Sequence, residues 1–224
     1  MENWNSICYN IKYEFMSGGR WAGLEAENEN KKEEKVPLGK ALTLYLHDIV
    51  YLLCGMMIAL LLIFRVVVVS GTSMNMTLLD GDYLLLLSNT FYHEPKQGDI
   101  IVVSKESFDD GAAFVKRVIA TEGQTVDIDF DNGIVYVDGV ALEEDYINNL
   151  TTNSGGVYFP LVVEEGCVFA LGDNRSISKD SRYPDIGQID TREILGKAIF
   201  LIVPGTNTIT NPQPRDFTRI GVIE

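Results

Sequence analysis

The most apolar stretch of the chain covers residues 49–64, a run without charge or proline. A helix rises about 1.5 Å per residue, so this run falls short of the roughly 20 residues needed to cross a ~30 Å hydrocarbon core. The span must extend back through residues 42–46, or forward past Arg65 into residues 66–69, with Arg65 reaching the head groups. We predict a transmembrane anchor over residues 42–65.

Two other structures accommodate an apolar run of this length, namely a buried core helix and the apolar part of a cleaved signal peptide. A core helix would normally have a polar face, and this run has none. A signal peptide would have a short basic start and a small-residue cleavage site. Here a long polar segment comes first and no A-x-A pattern follows. An uncleaved anchor explains the run best.

Positive charge is unevenly distributed across the predicted anchor. Four lysines precede it closely, whereas Arg65 is followed by no basic residue until Lys96. Because loops rich in Lys and Arg stay in the cytoplasm, we expect the N-terminus inside and residues 66–224 outside. Residues 1–41, rich in Asn, Glu and Lys, are expected to form a disordered cytoplasmic tail. The four lysines are Lys31, Lys32, Lys35 and Lys40.

Beyond the anchor, short runs of β-branched, aliphatic and aromatic residues alternate with turn signals such as Asp80-Gly81 and Asp131-Asn132-Gly133. No long amphipathic helical pattern occurs there. The pattern predicts a mostly antiparallel β domain over residues 66–224, with a small hairpin insertion around residues 127–165. The predicted strands are 66–69, 83–87, 99–104, 113–120, 125–130, 134–139, 166–171 and 196–203.

The predicted outer domain is strongly acidic. The whole chain has a net charge of −14, and residues 66–224 hold 11 Lys and Arg against 24 Asp and Glu. Such a surface repels phosphate backbones, which argues against nucleic-acid binding. The two histidines and three cysteines show no metal-ligand spacing, and the anchor separates Cys8, Cys54 and Cys167 into different compartments. We therefore expect no metal, no cofactor and no intrachain disulfide.

Three segments of this domain carry side chains suited to catalysis. Ser73 follows the first strand, where a hydroxyl can be presented in a cleft, although a serine beside glycine is more commonly turn chemistry. Lys116 and Arg117 are neighbours on a predicted strand and point to opposite faces. A buried Lys116 would have the lowered pKa that a lysine base requires; if it faces solvent, Arg117 makes the buried ion pair instead. The dense polar segment 172–182 suits either an active-site floor or a solvated loop.

Together these segments resemble the bacterial type I signal peptidases, also called leader peptidases, from the anchor to about Val203. The most specific match is Gly-Asp-Asn-Arg-x-x-Ser-x-Asp-Ser-Arg at residues 172–182. The resemblance implies a complex antiparallel β fold of the kind shared by signal peptidases and SOS repressors. The other matching elements are Ser-Met-x-x-Thr-Leu with a following Gly-Asp at 73–82, Gln-Gly-Asp-Ile-Ile at 97–101, Lys-Arg-Val-Ile at 116–119 and Gly-Lys-Ala at 196–198.

The resemblance implies a serine endopeptidase that removes signal peptides from exported preproteins at the outer surface of the cytoplasmic membrane. Ser73 corresponds to the nucleophile and Lys116 to the unprotonated base that takes its proton. Ser178 corresponds to the serine that orients this lysine. The pairs that hold the family's site together correspond here to Asp173 with Arg117 and Asp180 with Arg182.

The chain departs from the family pattern close to the nucleophile. The Ser73 amide is the expected first donor to the oxyanion. Some members add a serine hydroxyl two positions earlier, where this chain has Gly71, so Ser70 or Thr72 would have to supply a second donor. Met76 stands where the family commonly has proline, which predicts a less rigid loop.

The place of Ser73 in the sequence suits a substrate held in the bilayer. Ser73 lies nine residues past Phe64, which limits its distance from the membrane exit to about 30 Å. Signal-peptide-bearing preproteins and the lipid bilayer are therefore the expected partners. A peptidase dedicated to one substrate class, such as a pilin, and a catalytically inactive membrane-anchored binding module are the alternatives. A cytoplasmic Ser-Lys repressor is disfavoured by the anchor and the acidic domain.

Overall fold

The computed structural model describes residues 38–106, 108, 111–206 and 214–223. The predicted tail lies outside the described residues up to residue 37. Three of the four lysines from which the membrane orientation was predicted lie in this part of the chain. The chain divides into two units between Leu46 and His47. All three segments predicted to carry chemistry belong to the second unit.

Helix α1 covers Leu38–Ile63 and is the only α-helix within the described ranges. Its stretch Leu42–Ile63 is long and apolar enough to cross a membrane, and its most apolar window is not buried inside the protein. The helix stops before Phe64 because the backbone of the following valines pairs with another strand. The forward extension of the span into residues 66–69 is therefore wrong, and the helix extends toward the N-terminus instead.

Twelve antiparallel strands supply most of the remaining regular structure of the described residues. They arise from the β-branched and leucine-rich runs noted above, whose side chains suit a pleated, half-buried surface. In chain order they are β1 Phe64–Val68, β2 Tyr83–Ser88, β3 Ile100–Ser104, β4 Ala113–Thr121, β5 Thr125–Asp129, β6 Ile134–Val137, β7 Val140–Ala141, β8 Leu161–Val162, β9 Cys167–Leu171, β10 Ile189–Asp190, β11 Ile194–Val203 and β12 Gly221–Val222.

The strands form two sheets. The larger has the order β1-β2-β11-β3-β4-β9-β10, with β12 paired to β11, and the smaller has the order β7-β6-β5-β8. A mostly antiparallel β domain that follows one apolar helix was predicted, and this is confirmed. Strands β7, β8, β10 and β12 were not predicted, because two residues are too few for an alternating pattern to show.

The core of the larger sheet anchors the segment that carries Ser73. Leu84 and Leu86, alternate residues of β2, are fully buried on one face. Met74 and Leu78, from the loop between β1 and β2, pack into the same cluster, and each is 1% exposed. Burying such a side chain contributes about 2 kcal/mol. The loop is therefore fixed to the sheet one residue beyond Ser73.

Strand β4 lies between β3 and β9 in the larger sheet, with Arg117 opposite Leu171. Leu171 is the last residue of β9, and the polar segment 172–182 begins directly after it. This register places Lys116 and Arg117 next to the start of the polar segment. Segments that are more than 50 residues apart in the chain thus meet at one edge of the core.

Candidate active site

Ser73 and Lys116 are in direct contact. The distance between Lys116 Nζ and Ser73 Oγ is 3.0 Å, and Nζ also donates to the Val115 carbonyl at 2.9 Å. Lys116 lies on the same side of β4 as Phe114, whose ring centroid is 5.5 Å from Nζ. The lysine is only 3% exposed. Its amine is thus held beside a hydroxyl and shielded from water.

Burial lowers the pKa of Lys116 from its ordinary value of 10.5 to about 8. Desolvation of the ammonium is the largest cause, since a charged group loses its hydration when it is buried. The nearby carboxylates of Asp180 and Asp173 act in the opposite direction, whereas Arg182 lowers the pKa further. Because this pKa is about 8, roughly a tenth of the lysine is unprotonated at pH 7 and more at higher pH, which suits a general base.

Arg117 forms a buried ion pair with Asp173. Its Nε and Nη2 donate to the two carboxylate oxygens at 3.0 and 2.9 Å, and both side chains are at most 2% exposed. The Thr77 hydroxyl donates to the same carboxylate at 2.5 Å, and the centroid of the Tyr146 ring lies 4.0 Å from the guanidinium carbon. Removing one partner of such a pair costs about 3–5 kcal/mol. Arg117 thus ties β4 to the segments on either side of the dyad.

A second buried ion pair closes the polar segment on itself. Arg182 Nε and Nη2 donate to the Asp180 carboxylate at 2.8 and 2.9 Å, and neither side chain is exposed. Asp180 also accepts the Gly172 N–H at 3.0 Å, while Arg182 Nη2 donates to the Arg175 carbonyl at 2.8 Å. The segment is therefore an internally bonded floor under the site, and the alternative of a solvated loop is wrong.

Two residues that sequence reasoning did not single out bring this floor to Ser73. The Asn174 N–H donates to the Ser73 carbonyl at 3.0 Å, and its side-chain amide donates to the Thr72 carbonyl at 3.1 Å. Gly172 packs so closely that a Cβ there would lie 2.6 Å from the Ser73 carbonyl oxygen. Both belong to the most specific matching segment, but only the fold shows what they touch.

Ser178 is buried at the same place. A Cβ on Gly172 would lie 2.1 Å from its Oγ, which puts the hydroxyl directly against the backbone that supports Ser73. Ser178 is 1% exposed, and among the described residues its hydroxyl has no hydrogen-bond partner. The structure therefore places Ser178 at the site without a hydrogen bond to Lys116.

The donors available to an oxyanion lie in the loop before Ser73. The Ser73 N–H makes no hydrogen bond to another described residue, whereas the Gly71 N–H donates to Asp80. Ser70 is exposed and Thr72 is half-buried, and neither hydroxyl is bonded to a described residue. Both remain candidates for the second donor. Within the described ranges no group of three or more His, Cys, Asp or Glu residues is arranged to hold a metal ion.

Comparison with known proteins gives consistent matches. The family described as "Signal peptidase, peptidase S26" matches residues 42–203. The probable signal peptidase I-1 of Synechocystis sp. is 38% identical over 71% of this chain and 83% of its own length. Signal peptidase I T of Bacillus subtilis (strain 168) is 32% identical over 80% of this chain and 95% of its own.

A solved signal peptidase I from Enterococcus faecalis V583 is 32% identical to this chain. The match covers 46% of this chain and 96% of the Enterococcus chain, with a TM-score of 0.39. The assignment rests on the sequence matches, since the family pattern covers all three segments that meet at the site. The described strands agree with the β fold implied by the resemblance. The chain therefore belongs to the signal peptidase I family of serine endopeptidases, peptidase family S26.

Proposed function

We propose that this protein cleaves signal peptides from exported preproteins at the outer surface of the cytoplasmic membrane, with Ser73 as nucleophile and Lys116 as general base. Family membership supports the reaction. The observation that carries the mechanism is the 3.0 Å contact between Lys116 Nζ and Ser73 Oγ. A lysine can act as a base only when it is neutral, and burial brings its pKa to about 8.

The reaction begins with Lys116 unprotonated. The amine donates to the Val115 carbonyl, which leaves its lone pair for the Ser73 proton. Ser73 Oγ bonds to the scissile carbonyl carbon as Lys116 Nζ takes the hydroxyl proton, and the developing oxyanion accepts the Ser73 N–H. The C–N bond then breaks, and the ammonium returns the proton to the leaving amine. Neutral Lys116 finally activates the water that hydrolyses the ester.

Ser178 is proposed to orient the amine of Lys116. A buried hydroxyl without a partner costs free energy, so the burial of Ser178 Oγ beside Gly172 supports a role toward a neighbouring polar group. The pairs Arg117–Asp173 and Asp180–Arg182 are proposed to hold the strand and the floor in place around the dyad. Both pairs are buried and doubly hydrogen-bonded, which supports this role.

The membrane location is proposed from the chain next to the site. The apolar helix ends at Ile63 and β1 begins at Phe64, so no linker separates the two elements in sequence. Ser73 follows only nine residues later, which keeps it close to the lipid surface when α1 spans the bilayer. The lysines before α1 support an N-terminus in the cytoplasm.

The mechanism is tested by processing of a secretory precursor in cells that depend on this protein. Ser73→Ala and Lys116→Ala are expected to leave the precursor uncleaved. The exposed Ser154 and Lys96 supply matched controls, and Ser154→Ala and Lys96→Ala are expected to process normally. Normal processing by either dyad variant would contradict the mechanism. A wild-type protein that leaves every precursor intact would contradict the proposed function itself.

Two further measurements test orientation and breadth. Alkaline phosphatase fused after residue 224 is active only outside the cytoplasm, so we expect an active fusion, and an inactive one would reverse the topology. Sequencing the N-termini of many mature proteins tests breadth. Cleavage of many precursors after small residues at −1 and −3 indicates a general peptidase, whereas a single processed substrate indicates the dedicated alternative.

A further inference from the structure

The end of the chain contacts the loop that carries Ser73. Arg219 lies in a 3-10 turn, Phe217–Arg219, which Asp216 caps by accepting the Thr218 N–H. Strand β12 follows at once and pairs with β11. The guanidinium is thereby held against Asp82, the residue at which the loop enters β2. Arg219 lies beyond the residues 42–203 that match the family.

Asp82 is a buried anion that needs a positive partner. It is 0% exposed, and its two carboxylate oxygens accept from Arg219 Nη1 and Nη2 at 3.0 and 2.7 Å. Its other partners are the backbone N–H groups of Leu79 and Gly205, at 2.7 and 2.6 Å. A buried carboxylate that loses its counter-charge is strongly destabilised. Without Arg219, Asp82 would be drawn toward water and residues 79–82 would shift with it.

Arg219 also holds the loop closer to the nucleophile. Its Nη2 donates to the Thr77 carbonyl at 3.2 Å, while the Thr77 hydroxyl donates to Asp173. Thr77 is thus fixed from both sides, four residues beyond Ser73. Asp173 is the partner of Arg117, the neighbour of Lys116. One bonded chain therefore runs from the C-terminal segment to the two segments that form the dyad.

We propose that Arg219 is a positioning residue for Ser73, acting through Asp82 and Thr77 to keep Ser73 Oγ within reach of Lys116. This inference rests on the function proposed above. Arg219 touches neither member of the dyad in the described contacts, so it is expected to change the rate of the reaction and not the binding of the substrate. Displacing a reacting group by a fraction of an ångström lowers kcat, because reactivity depends steeply on geometry.

The test measures kcat and KM of the purified full-length protein in detergent micelles with a secretory precursor. Arg219→Ala is expected to lower kcat about tenfold and leave KM within twofold of wild type. Arg192→Ala is the matched control, because that side chain is 89% exposed and pairs with Asp190 at the other end of the sheet; it is expected to behave as wild type.

Two readouts, both taken well below the unfolding temperature, distinguish a positioning role of Arg219 from a purely structural one. Millimolar methylguanidinium is expected to restore part of the kcat of Arg219→Ala without changing wild type. The acid limb of the pH profile of kcat/KM is expected to lie at the same pH in Arg219→Ala as in wild type, because Lys116 remains buried. A folded Arg219→Ala with the kcat of Arg192→Ala overturns the inference, and so does a loss confined to KM.

If Arg219→Ala gives no cooperative unfolding transition, Arg219→Lys takes its place. A lysine keeps the charge but lacks the planar fork whose two nitrogens bond the two Asp82 oxygens, so a partial loss of kcat is expected. A folded Arg219→Lys with wild-type kcat overturns the inference. A wild-type protein without activity on the precursor instead contradicts the proposed function, so the two failures are distinguishable.

Discussion

The backbone N–H of Asn174 donates to the carbonyl oxygen of Ser73 at 3.0 Å, across about 100 residues of chain. This bond joins the floor 172–182 directly to Ser73, the proposed nucleophile. The Asn174 side chain adds a second bond, to the Thr72 carbonyl at 3.1 Å. The peptide before Ser73 and the peptide after it are thus both held by one residue, which fixes the direction of the Ser73 N–H.

Asn174→Ala is expected to lower kcat about fivefold to tenfold with little change in KM. The backbone bond to Ser73 remains in this variant. The bond to Thr72 is lost, together with those that Asn174 Oδ1 accepts from Ser176 and Asn149 at 3.2 and 3.4 Å, so the oxyanion donor becomes less well oriented. Steady-state kinetics on a precursor measure the effect, with Asn132→Ala in the exposed β5–β6 turn as the control. Equal kcat values for the two variants would show that the Thr72 bond has no role.

The pH dependence of kcat/KM is expected to report the titration of Lys116. The neutral amine is the active form, so activity should rise with pH along a limb with a pKa of about 8. Initial rates between pH 6 and 10 at low substrate concentration measure it. Arg192→Ala should show the same limb. A limb near the ordinary lysine value of 10.5 would mean that Lys116 is not desolvated in the working enzyme.

The buried lysine is also expected to make stability depend on pH. The folded-state pKa of about 8 lies below the ordinary value of 10.5, so between these values the unfolded state binds more protons. The free energy of unfolding therefore rises with pH across this window, and the penalty for burying the charge is fully present below pH 8. Lys116→Met removes the penalty and should stabilise the protein by about 3 kcal/mol at pH 7.

This gain is expected to shrink as the pH rises and to vanish above about 10.5. Chemical denaturation of wild type and Lys116→Met at several pH values measures it. The decisive quantity is how the difference in unfolding free energy between the two proteins changes with pH, since any gain in packing by methionine is independent of pH. A difference that stays constant from pH 7 to 10 contradicts the expectation.

Gly172→Ala is expected to lower activity at least 100-fold, because there is no space for the new methyl group. Its Cβ would lie 2.1 Å from Ser178 Oγ and 2.6 Å from the Ser73 carbonyl, so the floor and the nucleophile must move apart. Gly221→Ala is the control, since a Cβ there meets nothing within 4 Å. Precursor cleavage by the two folded variants measures the contrast, and similar activities would contradict the close approach.

Most strands longer than two residues were predictable, because alternating apolar residues and turn signals are local. Strand β2, for example, covers Tyr83–Ser88 where residues 83–87 were predicted. The end of the apolar helix α1 was less predictable. Residues 66–69 are apolar enough to continue a span, and only the pairing of Phe64–Val68 with β2 shows that all but the last of them belong to a strand.

The matching motifs identified Ser73, Lys116 and the floor 172–182 from sequence, because a reaction requires particular side chains at particular places. Local pattern could not decide whether Lys116 or Arg117 is buried. In the structure both are, since β4 lies between two strands and has a polar partner on each face. Lys116 meets Ser73, and Arg117 meets Asp173.

The sequence alone therefore determined the family and the fold class, and its motifs led to Ser73 and Lys116 as the proposed dyad. Only the tertiary structure decided how the dyad is held. The loop between β1 and β2, which carries Ser73, is contacted from distant parts of the chain by Asn174, Gly172 and Arg219. No local sequence pattern predicts such contacts. The physical reason is that the pKa of Lys116 and its 3.0 Å contact with Ser73 depend on the groups that surround the two side chains. That environment exists only when the sheet is formed.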